Sequence, residues 1–176
     1  MLSTKYREPE KPFTHSTRCR WALAYTRLYQ YAGRPQDLRA ACTLVDFVFT
    51  RAWDNHTCGG GLWWFGTNSM APAPFQVSRR GKNAIENSLA LVAATRLYRL
   101  THNTTFLGWS RKLFGWWDNK FENAASLIND GINTNPKHKD YCHNNGLITW
   151  TYNQGQHMRI GANTGAVCVC LCNDLS

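Results

Sequence analysis

Apolar residues recur along this chain at helical spacing. Over residues 18–32, Trp21, Tyr25, Leu28 and Tyr31 share one face, and Gly33-Arg34-Pro35 follows as a Gly stop with a Pro near the next helix start. Residues 36–51 place Leu38, Ala41, Leu44, Val45 and Val48 on one face, which predicts an antiparallel helical pair joined by a short turn. A second pair follows. Ile85, Leu89, Val92, Leu97 and Leu100 form an apolar face over residues 84–100, the polar turn His102-Asn103-Thr104 comes next, and Phe106, Trp109, Leu113 and Trp116 mark the returning helix.

The two pairs are copies of one unit. Thr26-Arg27-Leu28-Tyr29 recurs as Thr95-Arg96-Leu97-Tyr98, and at the same offset Leu38 matches Leu107, Leu44 matches Leu113 and Phe47 matches Trp116. A repeated helical hairpin predicts an all-α chain of the α/α type, in which each unit buries its apolar face against the next. Strand signals are sparse. The long loops Cys58–Gly81 and Asn123–Gly146 leave from one end of the stack, near residues 15–18, 82–87 and 151–156, and together with the helix starts they predict a cleft there.

Four strings at that end carry candidate chemistry. Cys58-Gly59-Gly60-Gly61-Leu62-Trp63-Trp64 sets three glycines before paired indoles, read either as a binding loop with flat faces for sugar rings or as a turn followed by two core tryptophans. Lys82-Asn83-Ala84-Ile85-Glu86-Asn87 opens a helix with groups able to bond hydroxyls, or with an ordinary solvated first turn. Leu127-Ile128-Asn129-Asp130-Gly131 offers Asp130 as a turn residue or a sugar contact. Trp150-Thr151-Tyr152-Asn153-Gln154-Gly155 sets rings beside amides at the start of a third hairpin.

In this order the strings resemble glycoside hydrolase family 76, the α-1,6-mannanases that include fungal cell-wall proteins, over about residues 20–155. The resemblance implies an α/α toroid of the six-hairpin type, of which about two to three hairpins are present. It also implies endo-acting, retaining cleavage of α-1,6-mannose linkages, by hydrolysis or transglycosylation, in a secreted or cell-wall setting. The residues expected to face a glycan such as α-mannan are Trp63, Trp64, Lys82, Asn83, Asn87, Asp130, Trp150, Tyr152 and Asn153.

Retaining cleavage needs one carboxylate as nucleophile and another as acid and base. The family sets an adjacent Asp pair before the first-hairpin helix, and alignment on Trp21-Ala22-Leu23-Ala24-Tyr25 puts that pair at about Ser16 and Thr17. No acidic residue lies between Lys11 and Gln36. The expectation is a chain without mannanase activity, with Glu86 and Asp130 as weak substitute acids and a non-catalytic carbohydrate-binding remnant as the alternative.

Composition and charge narrow the partners. The net charge is +9, but the basic residues are scattered and the densest cluster is only Arg79, Arg80 and Lys82, so a nucleic-acid partner is not expected. None of the seven cysteines stands in a zinc-type Cys/His spacing, so neither a metal nor another cofactor is expected. Cys58 and Cys142 lie in the two loops of one face and are expected to form a disulfide in an oxidising compartment. Asn55-His56-Thr57 and Asn103-Thr104-Thr105 are N-glycosylation sequons.

The ends fit the resemblance less well. Residues 1–17 form an irregular N-terminus without the apolar run of a signal peptide, which points to a cytosolic protein or to a missing start, and no later stretch is long enough to span a bilayer. Residues 18–155 form the expected partial α/α domain. Residues 156–176 lose the helical period and alternate Cys168, Cys170 and Cys172, as a tail read out of frame or through an intron would.

Overall fold

The computed structural model describes residues 14–64, 81–117, 120–135, 138–146 and 148–157. The expectations for Arg79 and Arg80, for the three tail cysteines and for the N-terminus up to residue 13 lie outside these residues. Helix α1 (His15–Ala32) and helix α2 (Pro35–Ala52) form the first hairpin. Strand β1 (Gly81–Asn83) leads into α3 (Ala84–Thr101), and α4 (Thr104–Trp117) returns beside it. Strands β2 (Gly131–Asn135) and β3 (His138–Asn144) follow, and residues 151–157 form a last helical segment.

Local chemistry explains the helix ends. Thr14 caps α1 by accepting from the Thr17 backbone N–H at 3.2 Å, and Gly33 ends the helix in the left-handed region with φ +66°. Pro35 opens α2, where its missing N–H costs nothing. His102 takes the left-handed position after α3, and Asn103 then holds the first turn of α4 by accepting from Thr105 N at 2.9 Å.

Helix α3 is the hub of the fold. It is buried without interruption from Ala84 to Thr95 and packs against α1, α2 and α4. Phe49, Leu113, Trp116, Trp117 and Phe121 close the core around it. The duplicated Thr-Arg-Leu-Tyr segments lie on the paired helices α1 and α3. Both threonines are buried, each returns its hydroxyl to its own helix at 2.8 Å (Thr26 to Leu23 O, Thr95 to Leu91 O), and the Arg96 guanidinium reaches Thr26 Oγ1 at 3.3 Å.

Two features depart from the sequence reading. On α1 the buried face is Cys19, Ala22, Leu23 and Thr26, while Trp21, Leu28 and Tyr31 point outward, Tyr31 being 94% exposed. Small side chains let the helix axes approach closely, and the large rings are left on the far side. The second departure is a three-stranded antiparallel sheet in the order β1-β2-β3, pairing Lys82 with Ile132 and Thr134 with Cys142. The expected disulfide between Cys58 and Cys142 is formed, with the Cα atoms 5.5 Å apart, and it ties the first long loop to β3.

Candidate functional site

The loop after α2 turns back through Cys58-Gly59-Gly60-Gly61, where all four residues have positive φ. A Cβ on Gly60 would stand 2.7 Å from the Trp116 ring, and one on Gly61 would overlap it, so glycine is required for this loop to lie on the indole. The same indole donates to Cys58 O at 2.9 Å.

Lys82 anchors that loop from below. Its side chain is wholly buried, and its ammonium donates to Thr57 O at 2.6 Å, to Gly60 O and to Asp54 O at 3.4 Å, while Asp54 Oδ2 lies 3.3 Å away. The Trp63 and Trp116 rings flank it at 4.8 and 5.7 Å. Burial pulls the Lys82 pKa down to about 8, and Asp54 opposes the shift. Burial pushes Asp54 upward in turn, but the His56 N–H, the Lys82 charge and Thr57 outweigh it and hold the carboxylate below its usual range. Sequence reasoning overlooked Asp54; its signal was a carboxylate four residues before the glycine loop.

The motif amides do similar work. Asn87 brackets the Leu62 backbone, accepting from its N–H at 2.8 Å and donating to its C=O at 3.2 Å. Gln154 brackets Ile128 in the same way, at 2.9 and 2.8 Å. Each hairpin start thus clamps the loop that precedes it. Trp63 is buried beside Lys82, and Trp64 is half-buried at the edge of the described residues. Lys82, Asn87 and Trp63 therefore stand inside the fold, with the polar side-chain atoms of Lys82 and Asn87 committed to the loop. Asn83, half-buried, precedes α3 and lies against Gly131.

The residues that meet at the open end are Ser16 and Arg20 from α1, Glu86 from α3, Asp130 from the loop before β2, and Trp150, Tyr152 and Asn153 from the final segment. The Asp130 carbonyl accepts from Ala84 N at 2.8 Å and so fixes the Asp at the start of α3. Burial raises the Asp130 carboxyl, opposed by the Trp150 indole and the Asn153 amide that face it. Trp150 and Tyr152 are both partly exposed and stack with ring centroids 5.7 Å apart and planes 10° from parallel. Asn153 is buried behind them.

Glu86 is fully buried, and its pKa is pushed up to about 8, first by loss of solvent. The Ser16 hydroxyl and the Arg20 charge oppose that rise, and Asp130 adds to it. Neither carboxyl oxygen completes a hydrogen bond of good geometry. Burial also raises the Tyr152 phenol, followed by Asp130 and then Glu86. The two carboxyls named as substitutes are thus neighbours electrostatically, but only Asp130 reaches solvent. At the position of the expected acid pair, the Ser16 and Thr17 hydroxyls each lie 2.9 Å from Thr14 Oγ1. Among the described residues, no three His, Cys, Asp or Glu side chains gather closely enough to hold a metal ion, and no helix is long and apolar enough to cross a membrane.

Helical hairpins stacked about a buried central helix, with rings, amides and a carboxylate at the end where the helices start, define part of an α/α toroid of the glycosidase type. The glycosyl hydrolase family 76 model matches residues 17–163, and the chain belongs to that family. It is 32% identical over 145 residues to a mannan endo-1,6-alpha-mannosidase of Candida glabrata, a match covering 77% of this chain and 30% of that protein. The chain therefore spans about a third of the length of such relatives.

Among solved structures, a family 76 glycoside hydrolase from a bovine Bacteroides thetaiotaomicron strain superposes with a TM-score of 0.75 at 21% identity, covering 88% of this chain and 31% of that one. An inactive variant of an α-1,6-mannanase from a Salegentibacter species, in complex with α-1,6-mannotriose, gives 0.70 at 20% identity, covering 89% and 42%. At these identities the likeness is one of fold.

Proposed function

We propose that the open end of this chain binds α-1,6-linked mannan or a related glycan and does not cleave it. The observation that carries this reading is the exposed Trp150-Tyr152 stack beside Asp130: two nearly parallel rings offer apolar faces to a sugar ring, and the adjacent carboxylate accepts from its hydroxyls. The Salegentibacter relative, whose fold this chain shares in part, was captured with α-1,6-mannotriose.

The absence of cleavage follows from side-chain chemistry at the start of α1. Ser16 and Thr17 occupy the positions at which the family resemblance expects the acid pair, and a hydroxyl supplies neither a stable nucleophilic carboxylate nor a general acid. Glu86 lies close by but is sealed from solvent, so it does not reach a glycosidic oxygen. The Cys58–Cys142 disulfide supports a secreted or cell-wall setting, since such bonds persist in oxidising compartments. The activity of the longer relatives is hydrolytic by name, and the family membership extends that chemistry to this chain's lineage, not to its residues.

Titration calorimetry with α-1,6-mannotriose and a reducing-sugar assay on α-1,6-mannan test the two halves separately. Binding lost in Trp150→Ala and Tyr152→Ala, with no new reducing ends, is the expected result. Release of reducing ends by the purified chain would overturn the non-cleaving half, and saturating binding unchanged in both variants would overturn the assignment of the rings.

A further inference from the structure

We propose that Asn103 is a site of N-linked glycosylation, placed where a large oligosaccharide is accommodated without touching the cleft. This inference does not depend on the glycan-binding reading. In the sequon Asn103-Thr104-Thr105, Asn103 closes the turn between α3 and α4 and the two threonines open α4, and all three residues are exposed. The backbone is fixed there by His102 in the left-handed region and by Asn103 Oδ1, which accepts from Thr105 N at 2.9 Å. The side-chain oxygen thus serves as the helix cap, and the amide nitrogen of this exposed side chain takes no part in the capping bond. Because a glycosylated Asn keeps its carbonyl oxygen as an acceptor, the cap survives modification.

Position in the fold strengthens the case. Helix α3 has 18 residues, so Asn103 lies about 27 Å along the helix axis from the cleft end at Ala84. A glycan at Asn103 is attached at the end of the α3–α4 hairpin opposite Ala84. Asn55 carries the second sequon and is also exposed, but its environment differs. Its Oδ1 accepts from the Trp53 indole at 2.6 Å, Asp54 binds the His56 and Thr57 N–H groups, and the Thr57 carbonyl is held by Lys82. That sequon is built into the loop that Lys82 anchors, next to the disulfide at Cys58.

In the transfer step, the Asn103 side-chain nitrogen forms a bond to the anomeric carbon of an oligosaccharide donated by a lipid diphosphate. The bond from that carbon to the phosphate oxygen breaks, the lipid diphosphate leaves with the electron pair, and the amide gives up one proton. The Cys58–Cys142 disulfide and this step require the same compartment.

The full chain, directed by a cleavable leader into the secretory pathway of a yeast host, provides the test. Treatment with a peptide-N-glycosidase, which hydrolyses the side-chain amide bond and releases the glycosylamine, in ¹⁸O-labelled water followed by peptide mass mapping is expected to convert Asn103 to labelled Asp. Asn103→Gln and Thr105→Ala are each expected to remove one glycan, and Thr105→Ser to keep it. Unlabelled Asn103 in secreted protein whose Cys58–Cys142 bond is formed would overturn the proposal. So would a Thr105→Ala variant that keeps its full complement of glycans, a comparison that stands even if Asn103→Gln weakens the α4 cap and lowers the yield.

Discussion

The Lys82 ammonium lies 3.3 Å from Asp54 Oδ2 while also bonding the carbonyls of Thr57 and Gly60, so one buried charge holds both ends of the loop that crosses Trp116. Removing the ammonium leaves a half-buried carboxylate and at least two carbonyls without their donor. Lys82→Met is therefore expected to destabilise the fold by about 3–5 kcal/mol, seen as a lower urea midpoint. Asp54→Asn, which keeps a polar acceptor beside Lys82, is expected to cost less. Equal midpoints for wild type and Lys82→Met would mean that the loop does not depend on this charge.

Glu86 gives a pH dependence of definite sign. Its carboxyl titrates near pH 4.5 when the chain is unfolded and near 8 when folded, so between these values the folded state binds the extra proton. The stabilisation linked to this proton is complete below about pH 4.5 and is lost as pH rises through 8. The loss is on the order of 5 kcal/mol at most. Glu86→Gln is neutral at every pH and should flatten the profile across this window, as denaturation at pH 5 and pH 8.5 would reveal. An unchanged slope would place the titration elsewhere.

Gly61 and Gly108 form a matched pair. Gly61 has φ +91° and its missing Cβ would overlap the Trp116 ring, so Gly61→Ala is expected to cost about 2–4 kcal/mol. Gly108 lies in α4 with open space around it, and Gly108→Ala is expected to stabilise by about 0.5–1 kcal/mol. Thermal melts of the two variants should move in opposite directions.

The disulfide closes a long loop, its cysteines standing 84 positions apart in the sequence. In the chain-entropy account, a closure of this length contributes about 4.5 kcal/mol by restricting the unfolded chain. The Cys58→Ser/Cys142→Ser double variant should lose stability of that order, and a reducing agent should lower the melting temperature of wild type but not of the variant.

Much of the helical architecture was legible in the sequence. The Ile85-Leu89-Val92-Leu97 period marks α3, and the repeated Thr-Arg-Leu-Tyr segment marks the duplication, because helical burial leaves a period that side-chain identity alone reveals. The direction of α1 was not legible. Trp21, Leu28 and Tyr31 carry the larger hydrophobic signal, but close helix contact selects the small Cys19, Ala22 and Thr26 instead.

The sheet was hidden for a different reason. Gly131-Ile132-Asn133-Thr134-Asn135 is short and polar, and its pairing depends on partners about 50 residues upstream in β1 and just downstream in β3. Asp130, Trp150 and Tyr152, drawn from separate sequence strings, do lie together at one end of the helices, and their facing a glycan is the proposal made above. Asn87 and Lys82 were not separable from them, because an amide or ammonium that holds a loop backbone has the same letters as one that holds a sugar. Distance decides between them, and the sequence carries none.

Leu28 and Leu97 occupy equivalent places in the duplicated segment, yet Leu28 is 42% exposed and Leu97 is wholly buried. Leu44 and Leu113 differ in the same direction, as do Phe47 and Trp116. Identical letters are therefore held by unequal constraints. Exchange of Leu28 for a polar residue removes little apolar area from the interior, whereas the same exchange at Leu97 places an unpaired polar group among α1, α3 and α4. Within this chain, packing therefore holds the second copy of the segment more tightly than the first.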